Sequence, residues 1–322
     1  MMWSLAEVIA GLILLTWGAD RFVDGAAAAA RKFGVSSLVV GLTILALGTS
    51  APEILVSGLS AFRGEPDLAI GNAIGSNVVN IGLVLGVVAL IRPIQLSSAT
   101  VRREMAMLLA VSLLVVSLFL DRYLSRIDSL ILLSSLVLVI FWMIQIGFRS
   151  STNDPIAAEY EAEIPQYDNI KITLFWLFIG LSALLFGAEL LVDGAIDFAR
   201  LMGVSEVVIG IVLVAFGTSL PELAVSIVSV MKREYGMVLG NIIGSNIFNS
   251  LAVIGITALI APAPLPPSVM SFHIMVMVAF TLGLFVMTYD CEGGHAIRRR
   301  EGLLLLVSFV AYETYTVMSG FP

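Results

Sequence analysis

The sequence has few charged residues and almost no cysteine or histidine. Only 13% of its 322 residues are Asp, Glu, Lys or Arg, and it contains one cysteine and two histidines. Soluble domains carry about 25% charged residues, so this composition excludes a soluble fold. A single cysteine excludes an internal disulfide framework and a cysteine-rich metal site. The absence of a basic tract argues against a nucleic-acid partner.

Long apolar runs take the place of the missing charge. A bilayer core of about 30 Å is crossed by a helix of about 20 apolar residues. The sequence offers ten such runs, so we predict an all-α polytopic membrane protein with ten transmembrane helices. The runs are centred near Leu14, Leu45, Leu83, Leu113, Leu136, Leu181, Val214, Val253, Val278 and Val307.

The two halves of the chain match each other at a constant offset of 169 residues. The motif GTSAPE at 48–53 returns as GTSLPE at 217–222, and GNAIGSN at 71–77 returns as GNIIGSN at 240–246. Five spans per half is an odd number, so the second copy would enter the membrane in the opposite sense. This predicts two inverted five-helix repeats, the plan of many secondary transporters.

The basic residues predict the orientation. With the N-terminus outside, thirteen of the seventeen Lys and Arg residues fall in inner loops and four in outer loops. By the positive-inside rule, both termini face the outside of a plasma or inner membrane. We assign residues 1–149 to the first inverted repeat, 150–170 to a polar cytoplasmic linker and 171–322 to the second inverted repeat.

Each GTSxPE motif places one carboxylate inside an apolar run. Glu53 lies ten residues before Arg63, and Glu222 lies ten before Lys232. That separation is about 15 Å along a helix, or half of the bilayer core. A charged side chain at the centre costs at least about 2.5 kcal/mol on insertion scales. Two such residues at equivalent positions therefore indicate a function.

Further oxygen ligands accompany each glutamate. Spacings of four residues put hydroxyl and amide side chains on one face of the glutamate helix and of the helix that follows it. In the first half these are Thr49, Ser57, Asn72, Ser76 and Asn80, and in the second half Thr218, Ser226, Asn241, Ser245 and Asn249. Pro52 and Pro221 each remove a helical hydrogen bond, which predicts a local break that frees the carbonyls of residues 46–49 and 215–218.

This set of ligands contains oxygen but no cysteine or histidine, which suits Ca²⁺ or Na⁺. Two carboxylates balance one Ca²⁺, or a group of Na⁺ ions. Occupancy that is mutually exclusive, with access that alternates between the two sides, would produce exchange. The same carboxylates could also titrate, so H⁺-coupled exchange remains an alternative at this point.

With both motifs present in order in both halves, the chain resembles the cation/Ca²⁺ exchanger superfamily, especially the prokaryotic Na⁺/Ca²⁺ exchangers. The resemblance implies that Ca²⁺ binds between Glu53 and Glu222. It implies that the first and sixth spans slide against the other eight. Asn249, the counterpart of Asn80, stands where some members carry Asp, which favours K⁺-independent exchange. The implied Na⁺ ligands are Ala46, Thr49, Ser50, Ser76, Ala215, Thr218, Ser219 and Ser245.

We therefore predict a secondary active antiporter that exchanges Ca²⁺ for Na⁺ by alternating access at a two-glutamate site near the midplane. The alternative is an H⁺-coupled Ca²⁺ antiporter.

No HExxH or similar constellation is present, so we expect no enzymatic activity and no cofactor besides the transported ions. The expected partners are inorganic cations and the lipid bilayer, with no nucleic acid, and we expect a functional monomer. A channel that uses both glutamates as a filter is disfavoured by the inverted repeat.

Four other acids lie towards the ends of the first helix of each half. We expect Asp24 and its counterpart Asp193 to be solvated. The deeper pair, Asp20 and Glu189, includes a candidate contact for helix sliding, at Glu189.

Overall fold

A computed structural model of the protein describes residues 2–95, 98–149, 170–202, 217–267, 269–289 and 296–320. Over these residues the chain is almost entirely helical, so the all-α prediction is confirmed. The helices are α1 (Met2–Phe33), α2 (Ser37–Thr49), α3 (Ala51–Phe62), α4 (Pro66–Ile91), α5 (Ser98–Leu118), α6 (Arg126–Arg149), α7 (Ile170–Leu201), α8 (Leu220–Met231), α9 (Tyr235–Ile260), α10 (Ile274–Tyr289) and α11 (Arg299–Gly320). Four two-residue strands are β1 (Ile94–Gln95), β2 (Tyr123–Leu124), β3 (Ala263–Pro264) and β4 (Ala296–Ile297).

Six of the described helical segments are long and apolar enough to cross a bilayer, and the bent pair α2–α3 qualifies when it is counted as one span. The six are Pro66–Ile91, Arg126–Met143, Ile170–Phe198, Tyr235–Ile260, Ser271–Thr288 and Arg299–Met318. Nine of the ten predicted centres lie on described helices, while Val214 lies outside the described residues. The count of ten spans and the inversion of the repeats stay predictions.

The helix that carries the first GTSxPE motif is broken, as its proline predicts. Ser50 leaves helical geometry, with φ −81° and ψ 4°, and α2 and α3 are bent by 44°. Pro52 lies in the first turn of α3, where its missing N–H costs no helical hydrogen bond. In the second half, α8 begins at Leu220 after a turn at residues 218–219.

The chain forms two compact units, each drawn from both halves of the sequence. Unit one comprises Met1–Thr49 and Trp142–Asn241, and unit two comprises Ser50–Phe141 and Ile242–Pro322. The predicted boundaries at 149/150 and 170/171 separate the two repeats along the sequence, which is a different division from that into compact units. Residues 150–169 of the predicted linker lie outside the described part of the chain, so these boundaries stay predictions.

In unit one, α1 and α7 pack against each other closely and antiparallel. A Cβ atom at Gly11 would lie 2.5 Å from the backbone nitrogen of Leu191, and one at Gly180 would lie 2.5 Å from that of Phe22. Helices associate in lipid through such small-residue surfaces, because apolar side chains gain little by leaving lipid. The glycines repeat every seven residues and match at the offset of 169: Gly11, Gly18 and Gly25 on α1, and Gly180, Gly187 and Gly194 on α7.

An ion-pair cluster joins α1 to the C-terminal end of α8 in the same unit. Lys232 Nζ lies 2.7 Å from Asp20 Oδ1 and 2.5 Å from Asp24 Oδ1. Arg21 lies 3.9 Å from Asp24 and stacks over the ring of Trp176 at 5.1 Å. The expectation of a solvated Asp24 is wrong, because the residue is only 6% exposed and its charge is offset by these cations.

The counterparts of these acids on α7 differ. Asp193 is exposed, as expected, and Glu189 is exposed as well. Asp20, the counterpart of Glu189, forms the ion pair with Lys232, while the sliding contact considered at Glu189 stays a prediction.

In unit two, α4 and the part of α9 from Ile242 onward are the most buried helical segments. Each contains a π-helical stretch, which begins at Asn80 in α4 and at Asn249 in α9, 169 residues apart. Such turns inside α-helices are frequent at functional sites. A Cβ atom at Gly82 would lie 2.7 Å from Phe309 of α11, so this glycine allows α11 to approach α4.

Two short strand pairs connect loops of unit two. Ile94 of β1 pairs with Ile297 of β4, and Tyr123 of β2 pairs with Pro264 of β3, both antiparallel. The first pair joins loops that the charge distribution assigns to the inner side. The second joins loops assigned to the outer side. Loops predicted to share a side are therefore in contact.

The glycine contact of unit one predicts a steep cost for a methyl group. Gly180→Ala places a Cβ against the backbone of α1, and overpacking of this kind costs roughly 1–3 kcal/mol. We expect a lower midpoint of thermal unfolding in detergent, measured by fluorescence-detected gel filtration. Gly283→Ala is the control, because no described atom lies within 4 Å of that Cβ position. Equal stability of the two variants would contradict the close contact.

The ion-pair cluster predicts a charge-dependent loss of stability. Lys232→Met leaves the buried Asp24 without its ammonium partner. The cost should lie between the roughly 1 kcal/mol of an exposed pair and the ~3–5 kcal/mol of a broken buried pair. Adding Asp24→Asn should restore part of the unfolding midpoint. Asp197→Asn, in an exposed pair with Arg200, is the control. A double variant no more stable than Lys232→Met would contradict the pairing.

Candidate functional site

The second-half glutamate lies in unit one, at the start of α8. Glu222 is fully buried and belongs to the first turn of that helix. A carboxylate is favoured at this position because the free N–H groups and the helix dipole carry partial positive charge. Ser219, just before the helix, is also buried, and no hydrogen-bond partner for its hydroxyl oxygen lies among the described residues.

Hydrogen bonds connect this glutamate helix to both signature motifs. Asn241 Nδ2 donates to Ser226 Oγ at 3.2 Å and lies 3.4 Å from the carbonyl oxygen of Glu222. Thr49 Oγ1 donates to Asn241 Oδ1 at 3.1 Å and lies 3.4 Å from the carbonyl oxygen of Ala46. A residue of the first GTSxPE motif therefore contacts the second GNxIGSN motif.

Glycines allow this approach. A Cβ atom at Gly240 would lie 2.8 Å from the Cα of Gly41, so α2 and α9 are in backbone contact next to Asn241. The predicted ligands that unit one contains are Ala46, Thr49, Thr218, Ser219 and Glu222. The predicted ligand Ala215 lies outside the described residues.

The first-half glutamate lies in unit two with an equivalent arrangement. Glu53 is fully buried in the first turn of α3. Asn72 Nδ2 of α4 donates to Ser57 Oγ at 3.1 Å, which repeats the bond from Asn241 to Ser226. Two glutamates thus begin two helices, and each has a serine four residues later that an asparagine of the next helix holds.

Unit two also contains a buried group of asparagines on α4 and α9. Asn80 Nδ2 donates to Asn246 Oδ1 at 3.0 Å, and Asn246 Nδ2 donates to the carbonyl oxygen of Asn77 at 3.2 Å. Asn249 is fully buried, and neither of its amide atoms has a hydrogen-bond partner within the described part of the chain. The other predicted ligands in this unit are Ser50, Ser76 and Ser245, all buried.

The chemistry of both units is that of hard oxygen ligands. Carboxylate, hydroxyl, amide and backbone oxygens suit Ca²⁺ and Na⁺. Among the described residues, no group of three or more His, Cys, Asp or Glu side chains comes together as a transition-metal site would require. Some buried oxygens, such as Asn80 Oδ1, have no hydrogen-bond donor among the described residues. Such oxygens fit a cation site better than an apolar core.

The spacing of four residues predicted Asn72, Asn80, Asn241 and Asn249 as polar residues of the site, but it missed Asn77 and Asn246. Both lie outside the four-residue spacing that selected the other polar side chains. The signal that could have found them was already visible, because each is the last residue of a repeated GSN motif at the offset of 169.

Comparison with known proteins identifies the chain. A family model described as sodium/calcium exchanger protein matches residues 3–145 and 172–318. The protein CaxA of Alkalimonas amylolytica is 43% identical over 313 residues, which cover 97% of this chain and 98% of that protein. Sodium/calcium exchanger MaX1 of Methanosarcina acetivorans is 31% identical over 339 residues, with 95% and 96% covered.

A solved structure agrees over the whole length. The sodium-calcium exchanger NCX_Mj, soaked with zero Na⁺ and Ca²⁺, superposes with a TM-score of 0.85 at 35% identity, covering 98% of this chain and 99% of that chain. These matches define a membrane protein that transports cations and is not an enzyme. The chain belongs to the sodium/calcium exchanger family, whose members exchange cations such as Ca²⁺.

Proposed function

We propose that this protein exchanges Ca²⁺ for Na⁺ across the cell membrane by alternating access, with Glu53 and Glu222 as the charged ligands of the transported cations. One observation carries the proposal. Both glutamates are fully buried in the first turn of a helix, and each is followed by a serine that an asparagine of the next helix holds at 3.1 or 3.2 Å. The names of MaX1 and NCX_Mj, which describe sodium/calcium exchangers, support the choice of ions.

The charge balance explains why the two cations compete. A carboxylate buried in an apolar protein is costly, and a cation bound beside it offsets that cost. Two glutamates neutralise one Ca²⁺ or two Na⁺ ions. Binding of one kind of ion removes the negative charge that would attract the other. Exchange then requires only that the loaded forms change access and that the empty, doubly charged form does not.

The remaining ligands are neutral oxygens. We propose that Na⁺ uses the hydroxyl and backbone oxygens of the broken helices and of the GSN serines, and that Asn80 and Asn249 contribute amide oxygens. An asparagine at 249 adds no third acid, which favours exchange that does not depend on K⁺. The proposed Na⁺ ligands are Ala46, Thr49, Ser50, Ser76, Ala215, Thr218, Ser219 and Ser245.

The proposed framework is ten spans in two inverted repeats, with α1 and α7 as the moving pair. The antiparallel contact of these two helices supports the inversion, because they are the equivalent first helices of the two halves. The strand pairs β1–β4 and β2–β3 support the predicted sidedness, with both termini outside and the linker in the cytoplasm. We propose that the monomer is functional and that it needs no cofactor besides the transported ions.

A sodium gradient is expected to drive Ca²⁺ uptake. Purified protein in proteoliposomes loaded with Na⁺ should take up radioactive Ca²⁺ after dilution into Na⁺-free buffer, with equal pH on both sides. The same vesicles with a K⁺ gradient, and protein-free vesicles, are the controls. Uptake that requires a pH gradient and ignores Na⁺ would overturn the sodium proposal and establish the H⁺-coupled alternative.

Neutralising either repeat glutamate is expected to abolish exchange. Glu53→Gln and Glu222→Gln keep the shape of the side chain but remove the charge that balances the cation. Sodium-driven Ca²⁺ uptake should fall to the level of protein-free vesicles, while gel filtration shows folded protein. Glu65→Gln is the control, because Glu65 is exposed at the start of α4. Wild-type uptake by both repeat variants would refute the assignment.

A further inference from the structure

Three asparagines of unit two form a chain of hydrogen bonds with a defined direction. It begins at the backbone carbonyl of Asn77, which accepts from Asn246 Nδ2 at 3.2 Å. It continues through Asn246 Oδ1, which accepts from Asn80 Nδ2 at 3.0 Å. All three residues are at most 2% exposed, so water does not compete for these bonds.

The backbone carbonyl determines how both amides are oriented. A carbonyl oxygen can only accept a hydrogen bond, so Asn246 must turn its NH₂ group towards Asn77. Its oxygen is then the atom that faces Asn80, and an oxygen can only accept. Asn80 must therefore turn its own NH₂ group towards Asn246, which leaves Asn80 Oδ1 at the other end.

Asn80 Oδ1 has no hydrogen-bond donor within the described ranges, and Asn80 is fully buried. A buried acceptor without a donor is unfavourable. A cation removes the penalty, because it takes the oxygen as a ligand and could not take an NH₂ group. We propose that Asn246 is a positioning residue that holds Asn80 with its oxygen towards the transported cation. The inference rests on the proposed function, which makes Asn80 a ligand.

Among the described residues of the second repeat there is no equivalent chain of hydrogen bonds, and the sequence shows why. By symmetry, Asn77 would bridge the carbonyl of Asn246 and the amide of Asn249. Instead, Asn77 Nδ2 donates to Ser250 Oγ at 2.9 Å. The counterpart of Ser250 in the first half is Ile81, which offers no acceptor, so Asn246 has no such competitor.

The orientation of the two ligand amides therefore differs. The bonds through Asn246 fix the amide of Asn80. Neither amide atom of Asn249 has a hydrogen-bond partner in the described part of the chain, so no hydrogen bond decides which way this amide is turned before a cation binds. The two repeats thus contribute equivalent residues of unequal preorganisation.

Equilibrium binding of radioactive Ca²⁺ to the purified protein, combined with Ca²⁺ uptake in proteoliposomes, tests the inference. Asn246→Ala should raise the Ca²⁺ concentration at half-saturation about ten- to a hundredfold, the usual effect of removing a residue that orients a metal ligand. Maximal uptake at saturating Ca²⁺ should change much less. The double variant Asn80→Ala/Asn246→Ala should bind no more weakly than Asn80→Ala, because Asn246 acts through Asn80.

Asn77→Ala is the matched control. It removes an equally buried amide from the same motif but keeps the backbone carbonyl on which the chain of hydrogen bonds depends. Its half-saturation for Ca²⁺ should stay near that of the wild type, even where its thermal stability falls as much as that of Asn246→Ala. If Asn246→Ala does not fold, Asn246→Ser replaces it, because its short hydroxyl cannot reach both partners.

The outcomes separate the two proposals. If Asn80→Ala binds Ca²⁺ like the wild type, the assignment of Asn80 as a ligand fails, and the inference fails with it. If Asn80→Ala binds weakly but Asn246→Ala matches the Asn77→Ala control, the ligand stands and the positioning role is overturned. Independent, additive losses from Asn80 and Asn246 would also overturn it.

Discussion

The rest of the structure depends on the cost of placing polar groups inside an apolar protein. A membrane offers no water to satisfy a buried carboxylate, hydroxyl or amide, so each needs a partner within the fold or a bound cation. The two buried glutamates are accordingly placed at helix starts, with serine and asparagine bonds repeated beside each of them. Asn241 alone bonds with Thr49, Ser226 and the backbone of Glu222. Around each glutamate helix, the described serine and asparagine side chains are therefore connected by hydrogen bonds.

Close backbone packing between helices answers a second constraint of the lipid bilayer, which concerns how helices associate. Between helices in lipid, burial of apolar side chains contributes little, so glycine seams replace side-chain interlocking. The contact between α1 and α7 is backbone against backbone along several turns. Because α1 and α7 are packed this closely, they can move together as one body, as the proposed mechanism requires. The pair Lys232–Asp20 then links that body to α8 by charge rather than by shape.

The two halves share a pattern of residues, but their bonds are not identical. The bond from Asn72 to Ser57 and the bond from Asn241 to Ser226 are equivalent, as are the π-helical starts at Asn80 and Asn249. Ser250 breaks the equivalence among the asparagines because it captures Asn77. The two glutamates are thus matched between the halves, while the neutral amide side chains near them are held by different hydrogen bonds in each half.

Much of this protein was determined by the sequence itself. Long apolar runs require membrane helices, a repeat at a constant offset requires matched motifs, and a spacing of four residues puts the polar side chains on one helical face. Proline predicted the break at Ser50, because it removes a backbone donor. Only the tertiary structure decided which of two equivalent residues makes a given bond: Asp24 is buried beside Lys232 while Asp193 is exposed, and Asn246 orients Asn80 while Asn77 turns to Ser250. Such choices depend on contacts between distant segments, where a single difference between the halves, such as Ser250 against Ile81, decides which bond forms. The matching pattern along the chain does not show those contacts.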